Sequence, residues 1–192
     1  MVNFFGDKIM VNRVAVLCLF LFASIAHAST ITIDFEEFPD AGPVGTSLSS
    51  KGYSFLAEAV FIPGAYGAFT DIALVYCPFC TVTFANESGN PFALHSFDYA
   101  AIFVGPGTVN VTGHYAAGGV ISTNLNADET VDNYQFNEAW TGLDYVVIGT
   151  ISTSSPAGID NIVVSAVPIP AAVWLFGSAL AGLGWMRRKQ TV

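Results

Sequence analysis

Five of the six basic residues lie near the two ends of the chain, each group beside an uncharged, largely apolar run, and this placement constrains the fold more than any motif. Lys8 and Arg13 precede the first run; Arg187, Arg188 and Lys189 follow the second. Between them, residues 29–166 hold Lys51 alone against fourteen acids, a net charge of −13. The chain therefore divides into an N-terminal segment 1–28, an acidic centre 29–166 and a C-terminal segment 167–192. Only 11% of its 192 residues are charged and 53% are hydrophobic, which excludes disorder because there is ample apolar surface to bury. Six basic residues against fifteen acids also exclude nucleic acid as a partner.

The N-terminal segment has the pattern of an export signal. Arg13 leads into an apolar run over 14–25, and Ala26-His27-Ala28 precedes Ser29. A positive n-region, a short h-region and an A-x-A site are what the Sec translocon and signal peptidase read, with cleavage after Ala28. The run is about 12 residues, short of the roughly 20 that a spanning helix needs. Met10 offers an alternative start that still leaves an ordinary signal peptide. Cys18 follows Leu17 rather than a small residue, which argues against lipidation. A buried N-terminal helix is the competing reading.

At the other end, Pro168 and Pro170 make a stiff breaker, since proline lacks an N–H and restricts its predecessor. Residues 171–186 then carry no charge and predict a helix of roughly 24 Å, a short membrane span. It begins at Ala171 and ends at Met186, with Phe176 and Gly177 inside it and Trp174 and Trp185 near the two interfaces. Arg187, Arg188 and Lys189 act as a stop-transfer cluster and orient the helix with its N-terminal side out.

Motif, helix and basic cluster occur in that order, and residues 167–190 resemble the PEP-CTERM sorting signal of Gram-negative, biofilm-forming bacteria. Val167-Pro168-Ile169-Pro170 stands where the family has its Pro-Glu-Pro motif, with Ile169 in place of the glutamate. The resemblance implies transient residence in membrane lipid, processing near the motif by an exosortase, and delivery to the cell surface or the extracellular polysaccharide matrix. A plain membrane anchor that is never cut is the alternative.

The acidic centre predicts a single all-β domain. Strand-like runs cover 31–35, 53–56, 69–75, 80–85, 92–104, 108–115, 119–123, 131–137, 143–151 and 159–166, separated by Gly, Pro, Asn and Ser. In the clearest alternation Tyr134 and Phe136 share one face. Ten short strands without helical periodicity fit a β-sandwich or jelly roll.

Catalytic signatures are sparse. His95 and His114 are the histidines left after export, and there is no G-x-S-x-G, H-E-x-x-H or phosphate loop. The reading is therefore non-enzymatic, with a carboxylate-pair hydrolase as the least favoured alternative. Cys77-Pro78-Phe79-Cys80 reads as a disulfide across a tight turn in an oxidising compartment; a redox pair and half a zinc site are the other readings. Asp34 and Glu36 are expected to share a strand face, and Asp160-Asn161 to open the last strand. That pattern weakly resembles carbohydrate-binding jelly rolls, whose first and last strands are neighbours and hold a structural calcium, which implies Asp34, Glu36 and Asp160 as ligands. A solvated acidic surface is the alternative. The leading function is an exported surface or matrix protein in contact with exopolysaccharide. The second is a lectin-like carbohydrate-binding module, with exposed Tyr and Trp near loops as the stacking platform and Trp140 as the only Trp of the centre.

Overall fold

Alternation of apolar and polar residues gives a strand one face in the core and one outside, and this pattern builds most of the chain. The computed structural model describes residues 29–38, 42–62, 69, 73–76, 79–102, 107–150, 156–167 and 177–178. It contains β1 (Thr30–Ile33), β2 (Gly42–Ser50), β3 (Tyr53–Ile62), β4 (Leu74–Tyr76), β5 (Thr81–Asn86) and β6 (Phe92–Ala101). These are followed by β7 (Gly107–Tyr115), β8 (Val120–Ala127), β9 (Asp132–Gln135), a 3-10 turn at Glu138–Trp140, β10 (Thr141–Thr150) and β11 (Ala157–Ala166). In β7, Val109 and Val111 are buried while Thr108, Asn110 and Thr112 take the other side.

Among the described residues every strand pairing is antiparallel. One layer runs β1–β11–β6–β9 and the other β8–β7–β10–β5–β3–β2. β4 bridges β3 and β11, and Thr141 opposite Ala93 with Leu143 opposite Phe92 joins β10 to β6. The sheet thus nearly closes on itself as a β-sandwich.

Aromatic side chains fill the space between the layers. Phe35, Phe55, Phe84, Phe92 and Phe97 are fully buried. Phe84 of β5 meets Phe92 of β6 at 5.6 Å between ring centroids, Tyr53 of β3 meets Phe92 at 5.4 Å, and Phe35 meets Phe55 at 5.3 Å. A smaller cluster of Phe69, Ala73, Val75, Ala100 and Ile102 lies apart from this core. It requires Gly158 of β11, where a Cβ would come within 2.5 Å of the Phe69 ring.

Several expectations change. β1 ends at Ile33, so Asp34 and Glu36 stand in a turn rather than on a strand face. Phe35 takes a left-handed backbone (φ 56°), and the Phe38 N–H donates to its carbonyl, which turns the chain while the Phe35 ring stays in the core. β2 has no counterpart among the expected strands. Its sequence GPVGTSLSS is too polar to stand out, and as a strand paired only with β3 it needs few apolar residues. The run expected over 119–123 extends to Ala127. Tyr134 and Phe136 do share one side, meeting at 4.8 Å against the core.

The chain divides into two units, Ala28–Val167 and the termini Met1–His27 with Pro168–Val192. The cleavage residues Ala26 and Ala28, the motif residues Pro168, Ile169 and Pro170, and the basic Arg187, Arg188 and Lys189 lie outside the described residues. So do Ala171, Trp174, Phe176, Trp185 and Met186 of the expected span. Gly177 and Ser178 are described and helical, and Ser29 and Val167 flank the sandwich. Among the described residues no helix is long and apolar enough to cross a membrane.

The core assignment has a direct test. Phe84→Ala should cost about 3–5 kcal/mol, seen as a lower urea midpoint. Leu56→Ala, at a residue 55% exposed, should stay within about 0.5 kcal/mol. Equal losses from the two variants would show that these rings do not hold the layers together.

Candidate functional site

The inward residues of the six-strand layer decide what its outer face shows. Val82 and Phe84 of β5, Val146 and Ile148 of β10 and Val109 and Val111 of β7 point into the core. The intervening residues therefore face outward, and the register aligns them in rows across the strands. One row is Val120–His114–Tyr145–Ala85–Ser54–Ser49. The next is Ser122–Thr112–Val147–Thr83–Leu56–Ser47, and a third is Asn124–Asn110–Gly149–Thr81.

No position in these rows carries a charged side chain, although the acidic centre has a net charge of −13. Glu58 lies on β3 two positions beyond Leu56, and two further acids stand at the rim. Asp144 precedes Tyr145 where β10 shifts register, and Glu87 accepts a hydrogen bond from Ser49 Oγ at 2.5 Å. The three rows are built instead from hydroxyls, amides, the Tyr145 and His114 rings and a few apolar groups.

Tyr145 and His114 lie directly opposite each other on β10 and β7, with rings stacked at 4.2 Å and 13°. His114 thus backs one face of the Tyr145 ring. The other face looks along the row toward Ala85 and Ser54, whose side chains are small. Beside it the amides are held in place: Thr112 Oγ1 donates to Asn110 Oδ1 at 2.9 Å, and Asn110 Nδ2 donates to Asn124 Oδ1 at 2.8 Å. Gly149 keeps the floor low, since a Cβ there would meet Thr81 Cγ2 at 3.1 Å. Thr46, Leu56, Ala57 and Thr81 line a shallow open depression at the same side.

Chemically, the face offers a planar ring, neutral donors and acceptors, and exposed apolar carbon at Leu56. A ligand rich in hydroxyls, with C–H faces to lay against a ring, matches that inventory.

Other residues singled out from the sequence fall elsewhere. Trp140 is 4% exposed and packs on Phe136 at 4.6 Å, so it belongs to the core and offers no stacking surface. His95 is exposed, with Nε2 at 2.7 Å from Ser165 Oγ. Cys80 is buried and disulfide-bonded, while Cys77 lies outside the described residues.

Asp160 is buried on β11 opposite Asp98 of β6, at a bulge where Asn161 has a left-handed backbone (φ 47°). Asn161 Nδ2 donates to Asp98 Oδ2 at 3.0 Å and to Asp160 Oδ2 at 3.2 Å, and Asn133 Nδ2 donates to Asp98 Oδ1 at 2.6 Å. Amides therefore serve these carboxylates. β1 does pair with β11, first strand against last. The Asp34 carboxylate, however, is met by the Lys51 ammonium at 2.5 Å. Among the described residues no three His, Cys, Asp or Glu side chains group so as to hold a metal ion.

Neither a protein-family profile nor a curated protein matches the sequence. Among solved structures the chain is similar to a carbohydrate-binding module of family 29, at 16% identity and a TM-score of 0.48, over 73% of this chain and 90% of that one. A mutant of such a module complexed with mannohexaose gives 16% identity and 0.47, over 73% and 93%. An exo-β-agarase gives 14% and 0.49, over 74% of this chain and 25% of that chain.

The Asp34–Lys51 pair carries a pH signature. Lys51 (φ 48°) and Gly52 (φ 83°) form the two-residue turn between β2 and β3, and that turn brings the ammonium to Asp34. The hydrogen bond from Lys51 is the main cause that lowers the Asp34 pKa below the ordinary 3.8. A carboxylate with a depressed folded pKa adds stability above its unfolded pKa and loses it as pH falls through the folded value. Because both partners are about one-third exposed, Lys51→Met should cost less than about 1 kcal/mol at pH 7. In urea titrations the gap between variant and parent should close below pH 3.8 and shrink with salt.

Proposed function

We propose that the sandwich is a non-catalytic module that binds an uncharged polysaccharide on the outer face of β8–β7–β10–β5–β3–β2. The observation that carries this reading is the three aligned rows without a charged residue, in a domain where acids outnumber bases fourteen to one. A sugar ring presents hydroxyls around its edge and C–H groups on its faces. The edge suits Asn110, Thr112, Thr81 and Thr83, and the C–H face suits the open side of Tyr145. An acidic polymer would meet the field of the whole domain and be repelled, so the ligand is neutral.

The sequence supplies the setting. On the resemblance of residues 167–190 to the PEP-CTERM signal, we propose that the module is exported and processed by an exosortase. It would then stand at the cell surface or within the polysaccharide matrix, next to its ligand.

Affinity electrophoresis in gels containing glucan, mannan, xylan, dextran or agarose tests the binding, with alginate as the acidic control. At least one neutral polymer should retard the protein, and alginate should not. Tyr145→Ala should weaken retardation at least tenfold, about 1.4 kcal/mol, with an unchanged fold by circular dichroism. Retardation by none of the neutral polymers would remove the reading.

Processing has a separate readout. The intact mass of the exported protein should be lower in cells with exosortase than in cells without it, by the mass of the segment beyond the motif. A C-terminus at Val192 in both strains would leave the segment as a plain anchor.

A further inference from the structure

Phe79 is the most exposed large apolar side chain among the described residues, at 69%, and its backbone is left-handed (φ 63°). A bulky residue seldom adopts that conformation, and where it does, the surroundings hold it there against strain. Here the next residue is the disulfide-bonded, buried Cys80, and Thr81 after it begins β5 on the outer face. The turn therefore fixes an aromatic ring at the end of the strand that forms the floor of the face.

The register places this ring relative to Tyr145. Tyr145 lies opposite Ala85, and Gly149 lies opposite Thr81. The two rows are four residues apart along β5, about 13 Å at the rise of an antiparallel strand, and Phe79 lies beyond the second. Between the two aromatic positions the outward residues of β5 and β10 are Ala85, Thr83, Thr81, Val147 and Gly149. All are neutral, and none is larger than valine. A monosaccharide is too small to reach both rings.

We infer that the face takes an extended segment of a neutral polymer lying along β5 and β10, with Tyr145 contacting one end of the segment and Phe79 the other. This rests on the polysaccharide reading and adds to it the length, direction and far contact of the bound segment. A site of this form recognises the interior of a chain rather than a free end, so affinity grows with oligosaccharide length until both rings are engaged.

Calorimetry with an oligosaccharide series of two to eight units, cut from the polymer that retards the protein, tests the inference. For the parent protein, affinity should rise with length and then level off. Phe79→Ala should lower affinity for the longest members about tenfold and leave the shortest unchanged, whereas Tyr145→Ala should weaken all of them. Phe79→Trp should restore the long-chain affinity. Phe79→Asn suits the left-handed backbone better, so it should keep or raise the melting temperature while losing long-chain affinity, which a purely structural Phe79 would not do. Length-independent affinity, or a Phe79→Ala profile matching the parent, would overturn the inference and leave the polysaccharide reading standing. If no neutral polymer binds the parent at all, both fall together.

Discussion

Phe84 on β5 and Phe92 on β6 approach ring to ring across the interior, and Tyr53 closes on Phe92 from β3. This contact holds the two layers face to face, and the outer surface depends on it as well. In a strand, successive side chains alternate between faces, so fixing Phe84 inward also fixes Thr83 and Ala85 outward. A slip of one residue would bury the hydroxyls and expose the rings, exchanging every group on both sides. Core and candidate site are the two sides of one register, set by aromatic packing.

The charge pattern follows a similar division. On the other layer, Asp98 and Asp160 are met by the amides of Asn133 and Asn161. On the six-strand layer the three rows around Tyr145 hold no charged residue.

Much of the sandwich was legible because burial leaves a periodic trace. Ile31 and Ile33 alternate with threonine, and Tyr134 and Phe136 alternate with polar residues, as strands with one buried side must. β2 left no such trace, being an edge strand of glycine and serine. Asp34 and Glu36 were misplaced because the left-handed Phe35 ends the strand, and a phenylalanine gives no warning of that conformation. The site was less legible still. Serine, threonine and asparagine have no chemical signature, and only the cross-strand register gathers them around Tyr145. Trp140 drew attention by residue type, whereas Tyr145 and His114 become a pair only because β7 and β10 are neighbours.

The pairing of β1 with β11 sets Thr30 directly opposite Ser165, so the chain enters and leaves the sandwich at the same end. A pull that parts the two termini would peel these strands from each other one hydrogen bond at a time. A pull on the C-terminal end against a load borne on the six-strand face draws β11 along its length against β1 and β6 together, so many hydrogen bonds share the force at once. Resistance to force therefore depends on the geometry of attachment: a load between the C-terminal end and the six-strand face is shared by more hydrogen bonds at once than one that draws the two ends apart.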